Sequence, residues 1–195
     1  MENLHLIPRV REGAARATRQ IALVILFLCS GCLVLGERGR DPGLNVSSGA
    51  FVRDGQIPVM YTCDGSNISP SLSWSAPPQG TASIAILVTD PDAPGGTFIH
   101  WVAYDIPPGT REIPAGVPGK TILPAGSVQG TNDMGRVGYR GPCPPRGNPH
   151  HYHFTVYALD TTLSLSGKRD GRMLLEPLWD HILARGEIVG IYRRL

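Results

Sequence analysis

The sequence predicts an all-β domain, a sandwich or barrel of short strands, with a single short helix near its C-terminus. Three observations carry this expectation. From residue 50 onward, apolar runs of strand length recur at 56–61, 71–74, 83–89, 98–106, 127–130, 152–159 and 187–192. The 24 glycines and 18 prolines are spread between those runs, where they act as turn formers. Only 172–184 has a helical pattern, with Pro177 inside it and Gly186 as a stop. Strands at this spacing, without intervening helices, argue against βαβ units.

The elements take their places in chain order. A basic stretch with Arg9, Arg11, Arg16 and Arg19 leads into the apolar run from Ile21 to Leu28. That run has the length of a signal-peptide core and falls short of a membrane span. Cys29-Ser30-Gly31-Cys32 resembles a bacterial lipobox, which would make Cys32 the lipidated residue, although Cys29 stands where an aliphatic residue is usual. Cleavage near Gly36 and an uncleaved anchor running to Leu35 are the other readings. Residues 1–36 are thus expected to be an export segment, 37–49 a polar linker and 50–195 the folded domain. The expected location is the cell envelope, as a membrane-anchored lipoprotein facing the periplasm or exterior.

The 195 residues carry a net charge of +2, with part of the basic excess at the two ends. No basic stripe interleaved with aromatics occurs, which excludes a nucleic-acid partner. Cys63 and Cys143 lie in the body of the chain, and in an oxidising compartment they are candidates for a disulfide.

Period-two alternation sorts the polar residues of the strands. Along Phe98–Ile106, His100 is expected to share a face with Phe98, Val102, Tyr104 and Ile106, opposite Ile99, Trp101, Ala103 and Asp105. Along 150–159, His150 joins Tyr152, Phe154, Val156 and Ala158. His151 and His153 point the other way with Thr155, Tyr157 and Leu159.

The chemistry-bearing residues gather around Asp90-Pro91-Asp92-Ala93-Pro94, a stiff acidic loop with His100-Trp101 close behind it. A metal site is one reading, because imidazole and carboxylate are suitable ligands. The spacing fits no closed zinc pattern, however, and the alternation separates the histidines. Hydrolysis is another, yet no G-x-S-x-G turn is present, and Cys63 and Cys143 are better explained as a disulfide or inert thiols. The third reading is a binding pocket without turnover. Imidazole N–H groups, a tyrosine hydroxyl and the backbone of the glycine-rich stretch 129–145 can all donate to an anion. On these grounds the chain is expected to be a binding protein rather than an enzyme, with no metal and no cofactor.

An ordered set of motifs points to a family. Ile57-Pro58, Tyr61-Thr62-Cys63-Asp64-Gly65, Asn67-Ile68-Ser69-Pro70 and Leu72-Ser73-Trp74 come first. Asp90-Pro91-Asp92-Ala93-Pro94, His100-Trp101, Ile106-Pro107 and Gly130-Thr131-Asn132-Asp133 follow. Then come Gly138-Tyr139, Gly141-Pro142-Cys143-Pro144-Pro145, His150-His151-Tyr152, Tyr157-Ala158-Leu159-Asp160 and His181-Ile182-Leu183-Ala184 before Gly190. In this order they resemble the phosphatidylethanolamine-binding protein family, in its bacterial and archaeal Raf-kinase-inhibitor-like branch. The resemblance implies a β-sandwich of two antiparallel sheets and an anion pocket near one end. It carries ligand-binding roles to Asp90, Pro94, His100, His150 and Tyr152, with Asp92, Gly138 and Gly141 close by. The implied ligands are phosphate-like anions or phospholipid head groups, and some members of the family inhibit kinases or proteases. A protein target in the envelope is therefore the alternative partner, and the membrane is contacted through the N-terminal lipid or anchor.

Three features depart from the family pattern. Arg140 stands where glycine is commoner and charges the pocket mouth, Trp179-Asp180 replaces smaller residues, and Pro177 disturbs the terminal helix.

Overall fold

The computed structural model describes residues 43–163 and 171–195. The export segment, with Cys29 and Cys32, and linker residues 37–42 lie outside that range. The described residues form two sheets and one short helix, so the expected all-β class holds. The strands are β1 (Val46–Ser47), β2 (Gly55–Gln56), β3 (Leu72–Trp74), β4 (Ser83–Asp90), β5 (Phe98–Ile106), β6 (Glu112–Ile113), β7 (Val128–Gln129), β8 (His150–Leu159) and β9 (Ile182–Tyr192). The helix α1 spans Gly171–Trp179. A small sheet has the order β1-β3-β6, and a large one the order β2-β9-β8-β4-β5-β7. Every pairing is antiparallel except β2 with β9, which is parallel.

The central strands of the large sheet are buried on both faces. One face meets the small sheet around Trp74, Trp101, Phe154, Val156 and Ile188. The other is covered by α1 and Leu163, with Leu174 and Leu178 set against Ala85, Leu87, Val102 and Leu159. Fully burying a leucine there stabilises the fold by about 2 kcal/mol.

Several expectations need correction. The linker does not run to residue 49: Leu44 and Val46 are buried in the core and β1 pairs with β3. The expected strand at 56–61 ends at Gln56. Pro58 has no N–H to offer a ladder, and Val59–Tyr61 turns into a short 3-10 helix. The helix stops at Trp179 instead of reaching residue 184. Pro177 removes the N–H that would bond back to Met173, the His181 N–H closes on the Leu178 carbonyl, and Ile182 starts β9. Gly186 therefore lies inside a strand, where an added Cβ would fall 1.8 Å from the Leu44 carbonyl oxygen.

The alternation along β5 also fails, because its pairing with β4 shifts register twice. Thr89 pairs with Ile99 but Val88 with Trp101, so His100 is an extra residue in the ladder. The bulge sends Ile99 to the helix side and Trp101 to the sandwich side. The His100 ring follows Trp101 and stands edge-on to Tyr152, 5.2 Å between centroids. A second shift lies between the pairs formed by Ile84 and Ile86, where Asp105 has φ 54°. Along β8 the alternation holds: Tyr152, Phe154, Val156 and Ala158 face the sandwich, and Tyr157 and Leu159 face the helix side.

Candidate functional site

The site is assembled where β4, β5 and β8 end together. Asp90 closes β4 and is 3% exposed. Each of its carboxylate oxygens has a task. Oδ1 accepts the Asp92 N–H at 2.9 Å, which folds the 90–94 loop into a tight turn, and Oδ2 accepts Nδ1–H of His150 at 2.8 Å. Removing a buried carboxylate from water is expensive, and these two donors offset the penalty.

His100 is fixed by a different acceptor. Its Nδ1 donates to the Arg140 carbonyl at 2.7 Å, and the Arg140 N–H returns a bond to the His100 carbonyl at 2.9 Å. The ring packs on Phe98, with centroids 4.8 Å apart, and against the edge of Tyr152. Burial pushes its pKa below the ordinary imidazole value, while the Arg140 carbonyl and the Asp90 and Asp133 carboxylates pull weakly the other way. The neutral ring is therefore the resting form near neutral pH.

Tyr152 lies under both imidazoles, wholly buried and stacked beside His150 at 6.4 Å. Its hydroxyl makes no hydrogen bond of good geometry. Burial first, and then the nearby Asp90 charge, pushes its pKa far up, so the phenol stays protonated.

The opposite wall comes from residues 139–145. Tyr139 donates its hydroxyl to the Tyr61 carbonyl at 2.9 Å, the Gly141 N–H donates to Asn67 Oδ1 at 2.8 Å, and the Cys63 N–H donates to the Pro142 carbonyl at 3.0 Å. A disulfide joins Cys63 to Cys143 with Cα atoms 5.4 Å apart. At Gly141 an added Cβ would sit 2.2 Å from the Tyr61 carbonyl oxygen, so only glycine lets the two segments approach this closely.

Between these walls lies a cavity of about 240 Å³, bordered by Asp90, Pro94, His100, Arg140, Gly141, Pro144 and His150, among others. Five of the eight expected ligand residues, Asp90, Pro94, His100, Gly141 and His150, thus meet at one space, with Tyr152 behind the two rings. Two do not border it. Asp92 turns outward to His151, accepting its N–H and Nδ1–H on one oxygen at 2.8 Å each. Gly138 sits against the Gln129 side chain, with φ +91° and its carbonyl held by Asn132, so it supports the wall from behind. Phe98, Met134, Pro144 and Pro145 border the cavity without having been expected there. The Pro144-Pro145 pair was a readable signal, because two fixed φ angles make a rigid edge.

His153 pairs with Glu187 at 3.2 Å in a wider hollow on the helix side of the sheet, away from His100 and His150. Among the described residues no three His, Cys, Asp or Glu side chains converge as metal ligands. No described helix is long and apolar enough to cross a membrane.

Comparison with known proteins agrees with this architecture. The family model described as phosphatidylethanolamine-binding protein matches residues 47–193. The chain belongs to that family. A UPF0098 protein of Pyrococcus horikoshii is 46% identical over 177 residues, covering 89% of this chain and 87% of its own. The candidate lipoprotein LppC of Mycobacterium tuberculosis is 38% identical over 150 residues, covering 76% of this chain and 72% of its own. The crystal structure of Escherichia coli YbcL, described as a member of the mammalian PEBP family, superposes with a TM-score of 0.73 at 37% identity. It covers 78% of this chain and 99% of that one. In this family member, the large sheet and every residue of the candidate site lie within the matched region.

Proposed function

We propose that this family member is an exported binding protein that holds a small phosphate-like anion, free or as part of a lipid head group, in the cavity between the 90–94 loop and residues 139–145. The observation that carries the reading is the pair of imidazoles on the cavity wall, each anchored through Nδ1 to a fixed acceptor. Anchoring one nitrogen fixes the ring plane and aims the other nitrogen, a preorganisation that suits recognition. The buried Tyr152 hydroxyl, close to the Asp90 carboxylate behind the two rings, adds a polar group at the same end of the cavity. Export is supported by the basic-then-apolar N-terminus, by a disulfide of a kind that persists outside the cytosol, and by the likeness to LppC. None of the side chains that border the cavity is a serine or threonine, and the cysteine among them, Cys143, is consumed in the disulfide.

Calorimetric titration with inorganic phosphate tests the reading. Saturable binding is expected in the native chain, and replacing both His100 and His150 with Ala should weaken it by about a hundredfold or more. Unchanged affinity in that double variant would rule the cavity out as the site.

A further inference from the structure

The hydrogen bonds that anchor the two histidines also decide what their free nitrogens offer. A backbone carbonyl and a carboxylate only accept. Nδ1 of His100, 2.7 Å from the Arg140 carbonyl, and Nδ1 of His150, 2.8 Å from Asp90, must therefore carry the hydrogens. In the neutral rings each Nε2 is then a lone pair. Both residues border the cavity, and their Nδ1 atoms are taken up by the anchoring bonds, so what each ring can still offer a ligand is its Nε2. With the Asp90 carboxylate between them, the inner end of the cavity is rich in acceptors and poor in donors. A fully ionised oxyanion entering it would set lone pairs against lone pairs and negative charge beside a buried carboxylate.

We infer that the cavity selects oxyanions that carry their own proton, such as inorganic phosphate near neutrality, over fully ionised ones of the same shape, such as sulfate. This rests on the anion-pocket reading above and narrows its ligand class. The ligand O–H donates to one Nε2, and that hydrogen bond replaces the one the proton made to water. A fully ionised anion is held only when an imidazole first takes up a proton from solvent, which turns Nε2 into a donor.

The surroundings of His100 oppose such uptake. Phe98 covers it from its own strand, and Tyr152 faces it from β8 with His150 stacked on that tyrosine. Asp90 at the end of β4 and Asp133 in the loop after β7 favour the charged ring, as do the Arg140 and Gly141 backbones, but burial outweighs them. Arg140 borders the same cavity, and its positive charge attracts every anion alike, so it sets affinity rather than choice.

Titrating the full chain with inorganic phosphate and with sulfate, at about pH 7.5 and about pH 5.5, tests the inference. Phosphate should bind at least about tenfold more tightly than sulfate at the higher pH, and the gap should shrink to about threefold or less at the lower one. His100→Gln and, independently, His150→Gln supply an amide donor without any proton uptake, and each should narrow the gap at the higher pH. Arg140→Gln should weaken both anions and keep their ratio. Equal binding of the two anions by the native chain at the higher pH overturns the selection, as does a ratio that both glutamine variants leave unchanged. Binding of neither anion at either pH overturns the anion-pocket reading itself, and the selection with it.

Discussion

Two histidine–aspartate pairs stand side by side in this protein and share nearly everything except their surroundings. His150–Asp90 and His151–Asp92 use neighbouring residues of one strand and one loop, and both close at 2.8 Å. Because successive side chains of β8 point to opposite faces, the first pair is turned inward and the second outward. The side chains of the inner pair are 10% and 5% exposed, those of the outer pair 48% and 41%. The same contact therefore has two consequences. Outside, water competes for both partners and the pair contributes about 0–1 kcal/mol. Inside, each partner would be stranded without the other, and the pair fixes a ring on the wall of a cavity.

That contrast can be broken by substitution. Asp90→Ala should have the largest effect, since it strands the His150 ring and frees the Asp92 N–H. A loss of roughly 3 kcal/mol or more is expected in urea unfolding, and a loss under 1 kcal/mol would mean that the inner pair behaves like the outer one. His150→Ala should cost somewhat less, about 2–3 kcal/mol, because Asp90 keeps the Asp92 N–H and the cavity can admit water to the vacated oxygen. Asp92→Asn should cost about 1 kcal/mol, the amide oxygen still accepting the His151 N–H. His151→Ala should stay within about 0.5 kcal/mol by the same assay, because the backbone bond to Asp92 survives it.

Acid sharpens the comparison without mutation. His100 has a folded pKa below its ordinary 6.5, so below that value the unfolded chain binds the extra proton more readily. Its share of stability is complete above about pH 6.5 and falls as the pH drops toward the lower folded value. Asp92 is held below its ordinary 3.8, first by the His151 ring and then by the His151 N–H. Its share, small because the pair is exposed, is present above 3.8 and is lost only as the pH falls through its lower folded value. Chemical denaturation across this range should therefore show two separate declines. His100→Gln should remove the upper one, and Asp92→Asn should reduce the lower one, to which Asp64, held down by Arg194 and Tyr192, also contributes; a single merged decline would contradict the separation.

Much of this was legible in the sequence, and the gaps have physical causes. The division of His150 from His151 followed from alternation alone, because β8 runs in unbroken register from His150 to Ala158. The same rule misplaced His100, since a one-residue bulge has no compositional mark in Phe98–Ile106. The inserted residue is recognisable only from its pairing with β4. Gly141 and Gly138 look alike as sequence, two glycines around Tyr139-Arg140. Only the approach of Tyr61 separates a glycine that borders the cavity from one that supports it from behind. Pro58 and Pro177 were visible signals whose consequences for the 56–61 strand and the helix end were underestimated. Leu44 and Val46 were hidden among polar neighbours, and two apolar residues make too short a pattern to announce a strand.

The Cys63–Cys143 bond encloses an 80-residue span that contains Asp90, Pro94, His100 and Arg140, while His150 lies beyond it. Within that span Gly95 and Gly96 are exposed at a loop tip, the kind of place where proteases cut. A chain clipped there would remain one covalent molecule. It would migrate as a single species on a denaturing gel until reductant is added and then separate into two. The fragment with Asp90 and Pro94 would stay tethered through the disulfide to the fragment with His100, Arg140 and His150, so a nicked protein keeps its site in one molecule.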